Sequence, residues 1–171
     1  MRTIIRFAAE ADAYKLSSHI KKTLNETPFM ISEGHEYRPS LENEEYWIRQ
    51  TYKDGGMILL AFSGKSLVGM LSVSRHVRIR RSHVCSFGIS VIKSQHGKGI
   101  GGQLMRTMME WCTSQQGLEK ITLEVFSNNK KAIQLYEQMG FKEEGRMRNE
   151  IRYRDGTYAD MITMAFFIKR K

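Results

Sequence analysis

A mixed α/β fold with a mostly antiparallel central sheet is the architecture this sequence predicts, and three observations carry it. Element types follow the order strand, two helices, three strands, helix, strand, helix and two closing strands. The middle of the chain shows short apolar runs at period two, parted by tight-turn signals such as Asp54-Gly55-Gly56 and Ser63-Gly64-Lys65. Its 171 residues hold no repeat, low-complexity tract or linker. At about 150 residues per domain that length predicts one domain, residues 1–171. The expectation is a sheet of about six to seven strands flanked by about four helices.

The elements read in order. Thr3–Phe7 is a short apolar strand. Asp12 is a helix-cap candidate, and Leu16, Ile20 and Leu24 recur at four-residue spacing, predicting a helix over 12–26. Residues 27–40 hold Pro28, Pro39, Gly34, His35, Phe29 and Tyr37, a loop varied enough either to help form a binding site or merely to connect. A helix follows over 41–52, then strands over 57–62 and 66–74. The strand over 83–91 alternates, with Cys85, Phe87, Ile89 and Val91 facing the core. Leu104, Met105, Met108, Met109 and Cys112 form one apolar stripe of a helix over 102–116, which Gly117 ends. A strand over 120–126 and a helix over 129–139 follow, with Gly140 as C-terminal cap and Phe141 opening a strand. The Asp155-Gly156 hairpin signal leads to a last strand over 161–168.

Composition bounds the function. Lys and Arg number 27 against 18 Asp and Glu, a formal charge of +9, so anionic partners are favoured. Cys85 and Cys112 form no metal-ligand spacing and the histidines make no HExxH pattern, so no metal is expected. Both cysteines are expected reduced, in a cytoplasmic protein. No apolar segment follows Phe7 as a signal peptide requires, and no run of 18 apolar residues predicts a membrane span. The basic stretch Arg75, His76, Arg78, Arg80, Arg81, His83 reads as a solvated loop or as a patch that helps hold an anionic ligand.

The sharpest motif is Gln95-His96-Gly97-Lys98-Gly99-Ile100-Gly101-Gly102, between a predicted strand and a predicted helix. Glycines let a backbone approach a ligand and offer successive N–H groups. A helix start adds unpaired N–H groups and a favourable dipole, so phosphate or pyrophosphate is the natural ligand, with Lys98 adding charge. The P-loop spacing fails. Gly97, Gly99 and Gly102 match the dinucleotide fingerprint and Glu119 lies about 20 residues on, but the motif follows a meander rather than a first strand.

These residues resemble the acetyl-CoA-binding motif of the GNAT superfamily of N-acetyltransferases, whose form is Gln/Arg-x-x-Gly-x-Gly/Ala. Here His96 replaces the first residue. A second motif of that superfamily is matched at its spacing by Asn129, Ala132, Tyr136, Gly140 and Phe141. The resemblance covers about residues 3–168, and 80–91 with 155–160 look like the bacterial branch acting on small amines or amino acids.

The resemblance implies a splayed pair of strands holding acyl-CoA, and direct acetyl transfer from acetyl-CoA to a primary amine through a tetrahedral intermediate. It implies cofactor contacts from Ile89, Ser90 and Val91, with Ile89 the amide that polarises the thioester carbonyl, and from His96, Gly97, Lys98, Gly99, Ile100, Gly101, Gly102 and Asn129. Tyr136 matches the general acid toward the coenzyme A thiolate, and Glu124 is the candidate base, directly or through water, with His83 behind it. The acceptor is expected to be a small-molecule amine or amino acid, with a protein N-terminus or lysine as the alternative. Glu42, Glu44 and Glu45 are a candidate acidic patch for a polycation; Phe29 and Tyr37 suit an apolar side chain. A basic nucleic-acid-binding module and a noncatalytic acetyl-CoA sensor are the rival readings. Neither membrane nor nucleic acid is expected as a partner; many relatives are dimers, which leaves a homodimer open.

Overall fold

The computed structural model describes residues 3–168, so the basic tail Lys169-Arg170-Lys171 lies outside the described residues. The elements are β1 (Thr3–Phe7), α1 (Ala13–Glu26), α2 (Leu41–Lys53), β2 (Met57–Ser63), β3 (Ser66–Arg75), β4 (Val84–Val91), α3 (Ile100–Ser114), β5 (Lys120–Phe126), α4 (Lys130–Gln138), β6 (Lys142–Arg152) and β7 (Tyr158–Phe167). One seven-stranded sheet runs in the order β1-β2-β3-β4-β5-β7-β6. All neighbours are antiparallel except β4 and β5, which run parallel. This is the mixed, mostly antiparallel sheet with four helices that the sequence predicts.

Each sheet face carries its own core. On one face Leu59, Leu71, Val73, Cys85, Phe87, Ile121, Leu123, Ile162 and Met164 pack with α3 and with Tyr136 of α4. On the other, Ile58, Leu60, Phe62 and Met70 pack with Leu16 of α1 and Ile48 of α2. The α3 stripe explains why that helix is stable where it lies: Leu104, Met105, Met108 and Cys112 are wholly buried. Each large side chain so buried contributes about 1.5–3 kcal/mol.

Local chemistry moves several boundaries. Helix α3 begins at Ile100, two residues before the sequence suggests, because Gly99 takes the left-handed conformation (φ +73°) and serves as its N-cap. Ile100, Gly101 and Gly102 are therefore first-turn residues. Asp12 does not cap α1: its carboxylate takes two 2.7 Å hydrogen bonds from Arg6 and one of 2.9 Å from Ala9 N–H, which closes the turn before the helix. Strand β7 begins at Tyr158 rather than Met161, since Asp155 accepts from both Thr157 N–H and Oγ1 and tightens the hairpin. Gly140 ends α4 at φ +90°, where a Cβ would press on the Phe166 ring at 3.3 Å.

Candidate active site

The site begins where the sheet comes apart. Strands β4 and β5 pair only through Val84, Cys85 and Ser86 against Lys120, Ile121 and Thr122. Beyond Ser86, β4 stays on β3 as far as Val91, while β5 stays on β7 as far as Phe126. A gap opens between them. Its polarity follows from strand alternation. Val84 O accepts from His76 N–H on the β3 side and Ile92 N–H donates to Val68 O of β3, whereas His83 O accepts from Glu119 and Lys120 on the β5 side. The backbone groups of Ile89, Phe87 O and Val91 N–H therefore face the gap, Phe87 N–H closing the last rung with β5 and Val91 O being taken by His96, and the groups of Gly88 and Ser90 face β3. Unpaired groups along one edge are a template for a ligand that brings its own amides.

The glycine turn closes the mouth of this gap. Gly97 and Gly99 have φ of +76° and +73°, and a Cβ at either would meet nothing within 4 Å. Open space lies over both. Gln103 N–H is the first of α3 to find an intrahelical acceptor, Gly99 O at 3.0 Å. The N–H groups of Ile100, Gly101 and Gly102 have no acceptor among the described residues and carry the positive end of the helix dipole. His96, the departure from the superfamily motif, points its Nε2 back to Val91 O at 2.8 Å and ties the turn to the end of β4. Lys98 leans on Gln95 Oε1 at 3.0 Å. Backbone donors, a dipole and an exposed ammonium fit a pyrophosphate.

Tyr136 reaches the gap from the helical side. It is buried, edge-on to Phe87 with ring centroids 5.9 Å apart. Burial pushes its phenol up to about 12, and its hydroxyl makes no hydrogen bond among the described residues. It is a proton donor held neutral with no competing partner. Asn129 caps α4, its Oδ1 accepting from Ala132 N–H at 3.3 Å. That leaves its amide NH₂ for any cofactor contact.

The sheet decides the surroundings of two of the expected site residues. Glu124 is exposed and unpaired, because β4 has already departed from β5 at that register. It stays on the face of β5 opposite Leu123 and Val125, toward α1. Ser90 turns its side chain to α1, where His19 Nε2 meets its Oγ at 2.9 Å. With its backbone on β3 as well, Ser90 has nothing directed into the gap.

Other candidates lie elsewhere. The basic stretch Arg75–His83 is the β3–β4 connection, so it sits at the opposite end of β4 from the glycine turn, roughly 23 Å away along seven residue steps. It does not hold a ligand bound at that turn. His83, the second base candidate, is at that same far end. Glu44 is no member of a free acidic patch: it is buried and accepts the Tyr37 hydroxyl, which burial holds above its ordinary range. Cys85 and Cys112 are free, buried thiols with sulfurs 4.0 Å apart. Among the described residues no His, Cys, Asp or Glu cluster suits a metal, and no helix is long and apolar enough to cross a membrane.

The sequence reading missed how one cleft is assembled. The loop after α1 and the β6–β7 turn enclose about 850 Å³ beside β5. Leu24, Phe29, Met30, Phe126, Ile151 and Tyr153 supply apolar lining; Glu33, His35, Arg152, Arg154 and Asp155 supply polar lining. Phe126 shares a strand face with Glu124, so the cleft opens beside the gap on the side away from Tyr136. The aromatic loop was a visible signal. Its partner, more than a hundred residues downstream, was not.

A family model described as acetyltransferase (GNAT) family matches residues 19–141. The chain belongs to the GNAT family. It is 37% identical over 107 residues to the L-amino acid N-acetyltransferase AaaT of Escherichia coli, a stretch covering 63% of this chain and 65% of that protein, just under two thirds. A GNAT-family acetyltransferase structure from Streptococcus pneumoniae superposes with a TM-score of 0.93 at 26% identity, covering 98% of this chain and all of that one. A GNAT phosphinothricin acetyltransferase from Sinorhizobium meliloti, solved with acetyl-CoA, shares the fold with a TM-score of 0.86 at 19% identity, covering 98% of this chain and 89% of that one.

Proposed function

We propose that this GNAT protein transfers an acetyl group from acetyl-CoA to the primary amine of a small molecule or amino acid. The observation that carries the reading is the gap between β4 and β5, with three inward-facing backbone positions along its edge and free N–H groups at its mouth. Family membership and the acetyl-CoA seen in a structural neighbour support the choice of ligand.

Acetyl-CoA supplies the activated thioester; the remaining tasks fall to this chain. The N–H groups of Ile100, Gly101 and Gly102, with Gly97 and Gly99 leaving room and Lys98 and His96 at the rim, hold the pyrophosphate. Backbone groups of Phe87 and Val91 take the amides of the pantetheine arm, and Asn129 adds its amide NH₂. Ile89 N–H receives charge developing on the carbonyl oxygen, a role worth several kcal/mol when the donor is fixed beforehand. Tyr136 donates its proton to the departing sulfur. Glu124 takes the amine proton, directly or through water, from the opposite side of the sheet. Acid and base thus stand on different faces, and neither neutralises the other.

The acceptor enters by the cleft at Phe126. The basic module and the sensor both lose ground to this arrangement, since neither uses a phenol beside a vacant strand edge. The test is free-thiol release from acetyl-CoA over a panel of amino acids, polyamines and peptides with free N-termini. Release with amino acids or small amines is expected. Release with peptides alone assigns the protein-acetylating alternative, and binding with no release across the panel refutes the transferase.

A further inference from the structure

The acceptor cleft has an apolar floor and one ionic cluster at its rim, and that contrast carries an inference about the acceptor which rests on the transferase reading. Arg154, in the β6–β7 turn, donates from Nε to Glu33 Oε1 at 3.1 Å and from Nη2 to the other oxygen of the same carboxylate. Nη2 also reaches His35 Nδ1 at 3.2 Å. Glu33 and His35 belong to the loop after α1, so this fork joins the two walls of the cleft. The two charged side chains are 74% and 46% exposed. Exposed pairs are held weakly against water, so a second carboxylate can displace the first. The other acid in the lining, Asp155, accepts from Thr157 N–H at 2.9 Å and Thr157 Oγ1 at 2.7 Å, both on Oδ1.

We propose that the acceptor is an amine carrying its own carboxylate and an apolar side chain, and that Arg154 determines this specificity, with Glu33 occupying the carboxylate position until the acceptor arrives. A guanidinium fork matches one carboxylate as well as another, so the exchange conserves both parallel hydrogen bonds. The apolar side chain lies on Phe29, Met30, Phe126 and Ile151. The amine is then directed along the β5 face toward Glu124, two residues and roughly 7 Å from Phe126.

Two substitutions pull in opposite directions. Glu33→Gln removes the competitor, so KM for the acid falls. Arg154→Gln removes the receptor, so selectivity for the acid collapses, and Arg154→Lys restores part of it, because an ammonium cannot fork. The experiment is steady-state thiol release with L-leucine, L-leucinamide and isopentylamine, which share a side chain and an amine and differ in the carboxylate. Titration of acetyl-CoA into each variant runs alongside. In the wild type kcat/KM for leucine exceeds that for either analogue by about tenfold or more. In Arg154→Gln the ratio approaches one, and in Glu33→Gln KM for leucine drops about threefold or more. Transfer that favours the amide or amine in the wild type, an undiminished ratio in Arg154→Gln, or a raised KM in Glu33→Gln overturns the inference alone. Acetyl-CoA binding with no transfer to any of these three or to the wider panel overturns the transferase reading and this inference with it.

Discussion

Gly99 offers a test in which strain and charge can be separated. It caps α3 at φ +73° and ψ 7°, and a Cβ there meets nothing within 4 Å. Ala and Glu at this position therefore share one backbone penalty, about 1 kcal/mol for a side chain in the left-handed region. For a chain of this size that lowers Tm by about 2–4 °C in both variants. They differ only in the carboxylate, which Glu places beside the first-turn N–H groups. At about 5 Å from a phosphate charge, with an effective dielectric of about 20, the repulsion is about 3 kcal/mol. Gly99→Glu is thus expected to bind acetyl-CoA about 100–300-fold more weakly than Gly99→Ala, while the two melt together. Isothermal titration and thermal melting read both quantities. Equal affinities for the two variants would show that no phosphate sits at this turn, and the account of the cofactor site would fail there.

Tyr136→Phe removes a hydroxyl that bonds to nothing among the described residues, so Tm and acetyl-CoA affinity stay unchanged while kcat falls by about a hundredfold, measured by thiol release. Because burial holds the phenol near 12, Tyr136 remains protonated through neutral and mildly alkaline pH, and an alkaline loss of wild-type rate below pH 10 comes from another group. His19 sets a stability limit on the acid side. Buried against Ser90, with Glu26 and Lys22 the nearby charges, it is pushed from an ordinary 6.5 down to about 4. The unfolded chain then takes up a proton that the folded one refuses, so stability is full above 6.5 and falls as pH drops toward 4, by up to about 3 kcal/mol. Urea unfolding across that range measures the loss, and His19→Gln, which keeps an N–H for Ser90 and cannot titrate, flattens it.

Much of this molecule is legible in its sequence where the cause is local. The α3 stripe, the Gly140 stop and the alternation of β4 depend on neighbours within a few residues, and the structure repeats them. The start of α3 was misplaced because two glycines inside its first turn look like loop, whereas it is the left-handed Gly99 that decides the boundary. Long-range partners were hidden. Nothing near Ser90 announces His19, 71 residues earlier, and nothing near Glu33 announces Arg154, 121 residues later. Glu124 lies on a central strand, but whether a strand has a neighbour at a given register is a property of the sheet, and here the neighbour has left. The family resemblance anticipated that departure; the residue pattern alone did not.

The short pairing of β4 with β5 has a consequence for the whole molecule. Four strands on one side and three on the other meet along a ladder of three residue pairs, while every other neighbouring pair shares at least the five seen between β1 and β2. That ladder is a mechanical seam. A ligand bridging the open stretch supplies rungs that the polypeptide lacks, and amide hydrogens of Ile89 and Val91 would slow their exchange when it is bound. Occupancy at a hundred times Kd adds about 2.7 kcal/mol to the folded state. The chain's persistence as a folded object is thereby tied to the supply of its own cosubstrate.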